Sequence, residues 1–419
     1  MAKINKIGLN NSEIKILIKK FGVKSLDEVK VEMLKSLKEN LKKNLTDVRQ
    51  SWKITYKIWD VIICVIVADF ASVYDWEEIQ DFVQIHYKWF KSFLQMTGGV
   101  PSAQTYERIF SLIKHEELEK ILIDFYQKVL INVTMNRDID NIDGRVSRGS
   151  AKNKTDYHDK ERPLNVLSVY SNNYGICLTS EKIDEKTNEI PTIPTILKRI
   201  NVKGNIITWD ALNTQTANVK AVIEGKGDYV VPIKGNQGNF YNDLIKYFDD
   251  KTLEIIIAGK LQTAYLKQVE KSHSAIITYE YFQTEDIDWY FDKDSWKGLK
   301  SIGLVKKTTV KNGDTAVESR YYISSLNIDI LDFAKAIRLH WSVENKLHWH
   351  LDFTFKQDGN TTKNKDALMN LEIINKFTLA TLNKIKPRFS NISIKRIRNY
   401  ITNDFENSFM ELLCFLALA

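Results

Sequence analysis

The segment Phe333–Phe355, with the sequence FAKAIRLHWSVENKLHWHLDFTF, constrains the fold of this chain more than any other. Every third or fourth residue belongs to one helical face, and five of the seven residues on that face are apolar or aromatic. The other two are Glu344 and His348. Burying a carboxylate is costly unless a metal ion or a partner charge compensates it. The pattern therefore predicts that Glu344 points inward, towards a ligand or an opposite charge.

Two structural interpretations of the same helix also fit this spacing. Glu344 could pair with a buried Arg or Lys and serve only to hold the fold together. His340, Glu344 and His348, which are spaced by four, could instead bind a structural zinc ion, because this spacing places ligands on one helical face. The helix alone does not decide between these roles and a catalytic carboxylate, so the rest of the chain must supply the partners.

Composition and charge favour a globular cytoplasmic protein with a polyanionic partner. Of the 419 residues 43% are hydrophobic, and 60 Lys and Arg outnumber 53 Asp and Glu to give a net charge of +7. This mild excess suits a nucleic acid, and an ordinary solvated surface also accounts for it. Three isolated cysteines without a CxxC pair predict reduced thiols. The longest apolar run, residues 61–68, is too short to span a bilayer, which predicts no membrane association.

Changes in pattern divide the chain into four regions with different predicted structures. They are a helical N-terminal domain suited to DNA binding, the first part of an α/β core, a β-rich insertion, and the second part of the core with the Glu344 helix and basic C-terminal helices. These regions span residues 1–135, 136–250, 251–319 and 320–419. Strands that alternate with helices in the second region imply some parallel pairing. Asn312-Gly313 predicts a tight hairpin turn in the third.

Two predicted strands of the core end in an aspartate. The strand at residues 139–143 ends in Asp143, before Gly144, and the strand at residues 205–209 is followed by Asp210. Catalytic carboxylates in α/β folds commonly lie at the carboxyl ends of strands, where the crevice opens. A turn at Asp143-Gly144 and a helix N-cap at Asp210 are the structural alternatives. Together with Glu344, the two aspartates predict a site of three carboxylates.

Several segments as a set resemble the DDE transposases of bacterial insertion sequences, specifically the ISAs-type group, also called H-repeat-associated proteins. The matching segments follow chain order and span most of the chain. They are DWEEIQDF (75–82), GVPSAQTYERIFSLI (99–113), IDGRVSRGS (142–150), KIDEKTNEIPTIPTIL (182–197), DALNTQ (210–215), GDYVVPIKGNQG (227–238), SRYYISSL (319–326) and HWSVENKLHWHLDFTF (340–355). The resemblance implies an RNase H-like core with Asp143, Asp210 and Glu344 as the catalytic, metal-binding residues.

The resemblance also implies the reaction and its partners. We expect the protein to cut the ends of an insertion sequence and to join the freed 3′-hydroxyl to target DNA, using two Mg²⁺ ions for which Mn²⁺ can substitute. Asp143 would bridge the ions, while Asp210 and Glu344 would each hold one. A homodimer or higher oligomer would act on DNA in the bacterial cytoplasm, at the nucleoid. A metal-dependent nuclease that does not join DNA, and a catalytically silent DNA-binding derivative, are the alternatives.

Eight polar residues near these carboxylates in sequence are predicted to contact DNA. Some depart from the wider superfamily, because His340 holds the place of an Arg and Arg145 follows Asp-Gly where a Lys is usual. A simple turn is the alternative for the three that follow residues 229–233. The eight residues are Arg145, Arg148, Lys234, Asn236, Gln237, His340, Asn345 and His348.

Overall fold

The structure is a computed structural model that describes residues 9–130, 137–151, 163–183, 188–259, 263–272, 274–389 and 392–418. It is a mixed α/β fold in which helices cover both faces of one sheet. None of the helices within these described ranges is long and apolar enough to cross a bilayer.

The N-terminal part is helical, as the sequence predicts. α3 is buried over nearly its whole surface because its sequence IWDVIICVIVADF is apolar all round, and it forms the centre of this bundle. The sequence of residues 76–94 predicts a single helix, but the structure has two helices there, which meet at His86. The helices are α1 (Asn11–Phe21), α2 (Leu26–Asn44), α3 (Ile58–Phe70), α4 (Trp76–Ile85), α5 (Tyr87–Lys91), α6 (Ala103–Phe110) and α7 (His115–Leu130).

The first half of the sheet contains the predicted parallel pairing. β1 pairs with β4 and β4 with β5 in parallel, whereas β1, β2 and β3 are antiparallel. Short helices connect the parallel strands. The elements are β1 (Ile139–Ser147), β2 (Leu164–Ser171), β3 (Ile176–Lys182), α8 (Thr192–Leu197), β4 (Ile206–Thr208), α9 (Thr216–Glu224), β5 (Asp228–Ile233), α10 (Gly238–Tyr247) and α11 (Asp250–Ile257).

The predicted β-rich insertion continues the same sheet. Its last strand pairs with β5, so the strand order is β3-β2-β1-β4-β5-β9-β8-β7-β6. Asn312 and Gly313 have φ values of 53° and 92° in a tight turn, which confirms the predicted hairpin. The sequence of residues 289–291 predicts a short strand that the structure does not have, and β6 was not predicted. The strands are β6 (Thr263–Ser272), β7 (Ala275–Thr284), β8 (Ser301–Lys311) and β9 (Asp314–Ser324).

The segment that carries Glu344 is not one regular α-helix. After α12 (Ile330–His340) the chain turns at Trp341 and continues as two π-helical turns, Glu344–His348 and His350–Thr354. These turns are followed by α13 (Lys365–Ile385), α14 (Ile394–Asn403) and α15 (Phe405–Leu418). π-helical turns are rare and occur frequently at functional sites.

One hydrophobic core joins the two ends of the chain. Buried side chains of α2, α3, α6 and α7 pack in the same cluster as those of the π-helical segment and of α13 to α15. Two smaller clusters cover the two faces of the sheet around β4 and β5. The π-helical segment is therefore held between the sheet and the helical bundle.

Candidate active site

Asp143 lies within β1 and not at its end. The strand continues to Ser147, and Asp143 and Gly144 pair with Ser168 and Leu167 of β2. The alternative of a turn at Asp143-Gly144 is therefore wrong. The position of the carboxylate is set by the strand, and the side chain is partly buried.

Asp210 follows β4, the strand that is parallel to β1. Asp140 lies opposite Ile207 and Asn141 opposite Thr208, so Asp143 and Asp210 each lie two residues past the last pair of this ladder. Asp210 also caps the short 3₁₀ helix that follows, because its Oδ1 accepts a hydrogen bond of 3.1 Å from the backbone N–H of Asn213. Asp210 is thus an N-cap, as one alternative predicts. It also lies just past the carboxyl end of β4, where catalytic carboxylates commonly lie.

Glu344 does not point into the core as the helical pattern predicts. Its side chain is 55% exposed, and Trp341, on the same predicted face, is 49% exposed. The apolar residues that are buried in this segment are Val343, Leu347, Leu351 and Phe355. The π-helical turns rotate the apolar face away from Glu344, which leaves the carboxylate at the surface of the sheet beside Asp143.

His348 joins the two carboxylates. Its Nδ1 lies 3.3 Å from Asp143 Oδ2 and 3.6 Å from Glu344 Oε2, and ligand atoms of the three residues lie within 4.8 Å of one another. Burial alone would lower the pKa of His348, but its hydrogen bonds to Asp143 and Glu344 raise the pKa above the ordinary value. In turn, the hydrogen bond from His348 lowers the pKa of Glu344. Positive charge is thus stabilised at the point where the carboxylates converge.

The zinc interpretation does not fit this arrangement. His340 directs its Nδ1 to the hydroxyl of Thr208, at 3.1 Å, and is not among the three residues whose ligand atoms converge. Two carboxylates and one imidazole remain in that group. Structural zinc sites are usually tetrahedral with Cys and His ligands, whereas carboxylate oxygens suit hard divalent cations.

Two families of known proteins match this chain. Residues 137–379 match the family described as transposase DDE domain, and residues 41–126 match the family described as DDE_Tnp_1-associated. The chain is a member of the transposase DDE family. Asp143, Asp210 and Glu344 all lie within residues 137–379, the part of the chain that matches this family.

Relatives of this family member are known in bacteria, and the two described here are both named as putative transposases. YncI of Escherichia coli O157:H7 is 30% identical over 84% of this chain and 88% of its own length. The H repeat-associated protein YhhI of Escherichia coli K12 is 32% identical over 78% of this chain and 84% of its own length. These relatives confirm the resemblance found in the sequence. A piggyBac transposase synaptic complex with hairpin DNA aligns with a TM-score of 0.39 and 11% identity, over 97% of this chain and 83% of that one.

Glu189 is an acidic residue of the DDE site region that the sequence did not single out. Its Oε2 accepts a hydrogen bond of 2.7 Å from Asn213 Nδ2, and Asn213 also donates to Asp210. Burial raises the pKa of Glu189, and the nearby charges of Asp210 and Asp143 raise it further. The segment KIDEKTNEIPTIPTIL had matched the family, but nothing in its local pattern places Glu189 beside β1.

Two of the predicted DNA contacts are buried in ion pairs within the protein. Arg145 is 6% exposed and donates to Asp352 at 2.6 Å and to Glu372 at 3.0 Å. Burial would raise the pKa of Glu372, but Lys376 and Arg145 together lower it to about 2. His348 is 4% exposed between its two carboxylates. Both residues are inaccessible to DNA in this structure, because their charges are used to hold β1 against the π-helical segment and α13.

The other predicted contacts lie at the surface of this DDE family member. Asn236 donates to the backbone carbonyl of Ala211 at 2.8 Å, and Gln237 donates to that of Thr214, so both fasten their loop to the loop after Asp210. Both residues therefore lie in a turn, and the DNA contacts predicted for them stay predictions. The remaining exposed or partly exposed residues stay predicted DNA contacts. They are Arg148, Lys234, His340 and Asn345.

A groove of about 540 Å³ opens beside Glu344, between the face of β7, β8 and β9 and the end of α12. Arg320 lies over the exposed ring of Trp341, with its guanidinium carbon 5.1 Å from the ring centroid. Lys307 and Lys346 also line the groove, while Glu318 partly neutralises Arg320 at 2.7 Å. Cationic side chains beside an accessible aromatic ring are features that bind a nucleic acid strand.

Proposed function

We propose that this protein is an active DNA transposase with an RNase H-like core. It cuts DNA at the ends of an insertion sequence and joins the freed 3′-hydroxyl to target DNA. The observation that carries the proposal is the convergence of Asp143 and Glu344, which are distant in sequence but have ligand atoms within 4.8 Å. Asp210, which like Asp143 lies two residues past the last pair of the β1–β4 ladder, supplies the third carboxylate.

The acidic residues fit a divalent cation. Asp143 and Glu344 already converge on the positively polarised Nδ1 of His348, so a cation that replaces this contact would meet oxygen ligands on two sides. Carboxylate oxygens are the ligands that Mg²⁺ and Mn²⁺ prefer. We propose that Asp143 and Glu344 hold one ion, and Asp143 and Asp210 a second. Bound there, two ions supply activation of the nucleophile and stabilisation of the leaving oxygen.

The protein's own surface would position the DNA. The groove with Arg320, Lys307 and Lys346 lies next to Glu344, so phosphates held there would place the adjoining backbone at the carboxylates. Lys234, which follows β5 on the side of Asp210, extends the positive surface across the site. Two element ends must be cut and joined together, which is the reason for proposing a homodimer or higher oligomer on DNA.

The test uses the full-length protein with a duplex that contains one native element end. Asp143→Asn, Asp210→Asn and Glu344→Gln keep the shape of each side chain but remove its charge. Each should lower the single-turnover cleavage rate about a thousandfold or more, since metal-ion catalysis contributes several kcal/mol. Binding of the duplex, measured in Ca²⁺ by fluorescence anisotropy, should remain. Asp314→Asn, in the exposed hairpin, is the matched control.

The products of the reaction distinguish the alternatives. A transposase gives both a nicked end and a product joined to a target plasmid, in Mg²⁺ or Mn²⁺ and not in EDTA. Nicking without joined products would identify a metal-dependent nuclease. Specific binding with no cleavage in either metal would identify a silent derivative. Cleavage by Asp143→Asn at the wild-type rate would refute the assignment of the site.

A further inference from the structure

The orientation of Asn141 is fixed by its surroundings. Asn141 is fully buried on β1, and its amide nitrogen lies 2.5 Å from the backbone oxygen of Leu339 and 3.0 Å from Ser342 Oγ. A carbonyl oxygen can only accept a hydrogen bond, so this end of the side chain must be the NH₂ group. Oδ1 is therefore the atom that faces Thr208 on β4.

Thr208 in turn determines which ring nitrogen of His340 carries the proton. Its hydroxyl lies 3.0 Å from Asn141 Oδ1 and 3.1 Å from His340 Nδ1. The hydroxyl has one hydrogen and Asn141 Oδ1 can only accept, so Thr208 donates to Asn141. The same hydroxyl then accepts from the ring, which places the ring proton on Nδ1. In a neutral imidazole, Nε2 consequently carries a lone pair and no proton.

The ring is held neutral among charged groups. Burial, the largest effect, lowers the pKa of His340 below its ordinary value. Asp143 on β1, Asp210 after β4 and Glu344 on the π-helical segment oppose this shift, while Arg320 on β9 adds to it. The net direction of the shift is downward, which favours the neutral imidazole. Thr208 lies two residues before Asp210 and Asn141 two residues before Asp143, so this chain of hydrogen bonds holds the ring, with its free lone pair, close to the proposed catalytic carboxylates.

We propose that His340 is a further catalytic residue, whose Nε2 accepts the proton of the attacking nucleophile. Thr208 and Asn141 are positioning residues that act through the ring. This inference rests on the proposed transposase function and assigns a role that differs from a DNA-phosphate contact. A phosphate contact requires a donor, whereas the hydrogen bonds of Thr208 leave His340 Nε2 as an acceptor.

The proton transfer balances in both chemical steps. In strand cleavage, the oxygen of water attacks phosphorus while its proton passes to His340 Nε2. The bond from phosphorus to the leaving 3′ oxygen breaks, and that oxygen takes a proton from solvent. In strand joining, the freed 3′-hydroxyl attacks a phosphorus of the target DNA and gives its proton to the same nitrogen. The bond from that phosphorus to the 3′ oxygen of the target strand breaks, and this oxygen takes a proton from solvent. The imidazolium returns the proton to solvent after each step.

The first experiment measures the tautomer directly and does not depend on catalysis. The ring nitrogens of the full-length protein are labelled with ¹⁵N, and the His340 signals are assigned by their loss in His340→Asn. We expect the neutral Nδ1–H tautomer at pH 7 in the wild type. Thr208→Val should lose this preference and Thr208→Ser should restore it. Finding the Nε2–H tautomer, or a protonated ring at pH 7, would overturn the inference.

The second experiment measures single-turnover cleavage of pre-bound DNA between pH 5.5 and 9. His340→Asn should lower the rate about 100-fold or more, because general bases typically contribute at least this factor. The wild-type rate should fall towards low pH as His340 is protonated, and this part of the decline should be absent from His340→Asn. Thr208→Val should also lower the rate, and Thr208→Ser should restore most of it.

Matched controls separate the possible failures. His86→Asn changes a surface histidine at the end of α4 and should cleave like the wild type. Equal rates and equal pH profiles for His340→Asn and an active wild type would overturn the role of His340 alone. A wild type that binds an element end and never cleaves it would overturn the proposed function, while the tautomer measurement would still stand.

Discussion

The absence of a side chain at Gly144 has a different structural explanation from the one that its sequence context suggests. Asp-Gly is typical of turns, yet Gly144 lies in a strand and has no positive φ. A Cβ at this position would lie 2.1 Å from Glu189 Oε1 and 2.7 Å from its Cδ. The missing side chain therefore leaves the space in which the Glu189 carboxylate rests on β1 and reaches Asn213.

Gly144→Ala should displace this carboxylate and break its hydrogen bond from Asn213. We expect the variant to lose about 1 kcal/mol of unfolding free energy, the typical net value of such a bond. In a Glu189→Ala background the same substitution should cost almost nothing, because the space is already empty. Urea denaturation of the two single variants and the double variant measures this coupling. Strictly additive losses would contradict the described contact.

Residues differ in how far the sequence could predict their roles. Asp143, Asp210 and Glu344 each stand out locally, as a polar residue at the end or on the face of an apolar pattern. Asn141 and Thr208 look like ordinary strand residues, because their roles come from the register between β1 and β4. Arg145 looked accessible, since the acidic partners that bury it lie more than 200 residues later in the chain.

The π-helical segment explains the main error among the predicted elements. In an α-helix each residue advances by about 100°, so residues spaced by four drift by about 40° per step. The buried apolar residues of this segment are nevertheless spaced strictly by four: Val343, Leu347, Leu351 and Phe355. Wider turns keep them aligned on the core. This strict spacing by four is the signal in the sequence that indicates π-helical turns. The assumption of a regular α-helix instead predicts that Glu344 points inward and that Trp341 packs in the core.

β6 escaped prediction for a different reason. The strand, with the sequence TAYLKQVEKS, is only partly buried, so its alternation of apolar and polar residues is weak. The strand exists because it pairs along its whole length with β7. Elements with a buried face leave a clear pattern in the sequence. The patterns of residues 229–233 and 367–384 predict a strand and a helix close to the observed bounds of β5 and α13.

β1 should make the stability of the protein depend on pH. Burial, and then the neighbouring charge of Asp138, raise the pKa of Asp140 to about 8. An unfolded Asp has a pKa of about 3.9. A raised folded-state pKa means that the contribution of Asp140 is fully present below pH 4 and is lost as the pH rises through 8.

Asp140→Asn should remove this dependence while keeping the 2.9 Å hydrogen bond from Asn205. At pH 8.5 we expect the variant to be more stable than the wild type by about 1–3 kcal/mol, a buried uncompensated charge being removed. Below pH 4 the two should converge. Thermal unfolding at a series of pH values checks this. The exposed Asp314→Asn should leave the profile unchanged, and parallel profiles for Asp140→Asn and the wild type would refute the prediction.

At the scale of the whole molecule, the proposed domain boundary near residue 135 is crossed by the core. Asn370 on α13 donates to the backbone oxygens of Phe110 at 2.9 Å and of Ile113 at 3.0 Å. Trp76 donates to Thr362 Oγ1 at 2.9 Å. The four predicted regions remain a useful description of sequence, but the helical ends of the chain share one set of buried side chains.

Residues 137–419 on their own should therefore fail to form a stable fold. Removing the first part of the chain would expose α13, which is buried along most of its length. We expect aggregation on expression, or binding of a hydrophobic dye without a cooperative unfolding transition. Co-expression with residues 1–130 should restore a soluble, cooperatively unfolding complex. A cooperative transition of the isolated fragment would instead establish residues 137–419 as an independent domain.

The pairing of β5 with β9 has a mechanical consequence. A hydrogen-bonded ladder runs without interruption from β1, through β4 and β5, into the long hairpins. Under the proposed function, a duplex held on those hairpins would be unable to slide independently of Asp143, since both belong to one continuous sheet. The sheet would then fix the distance from the bound phosphates to the phosphodiester that is cut.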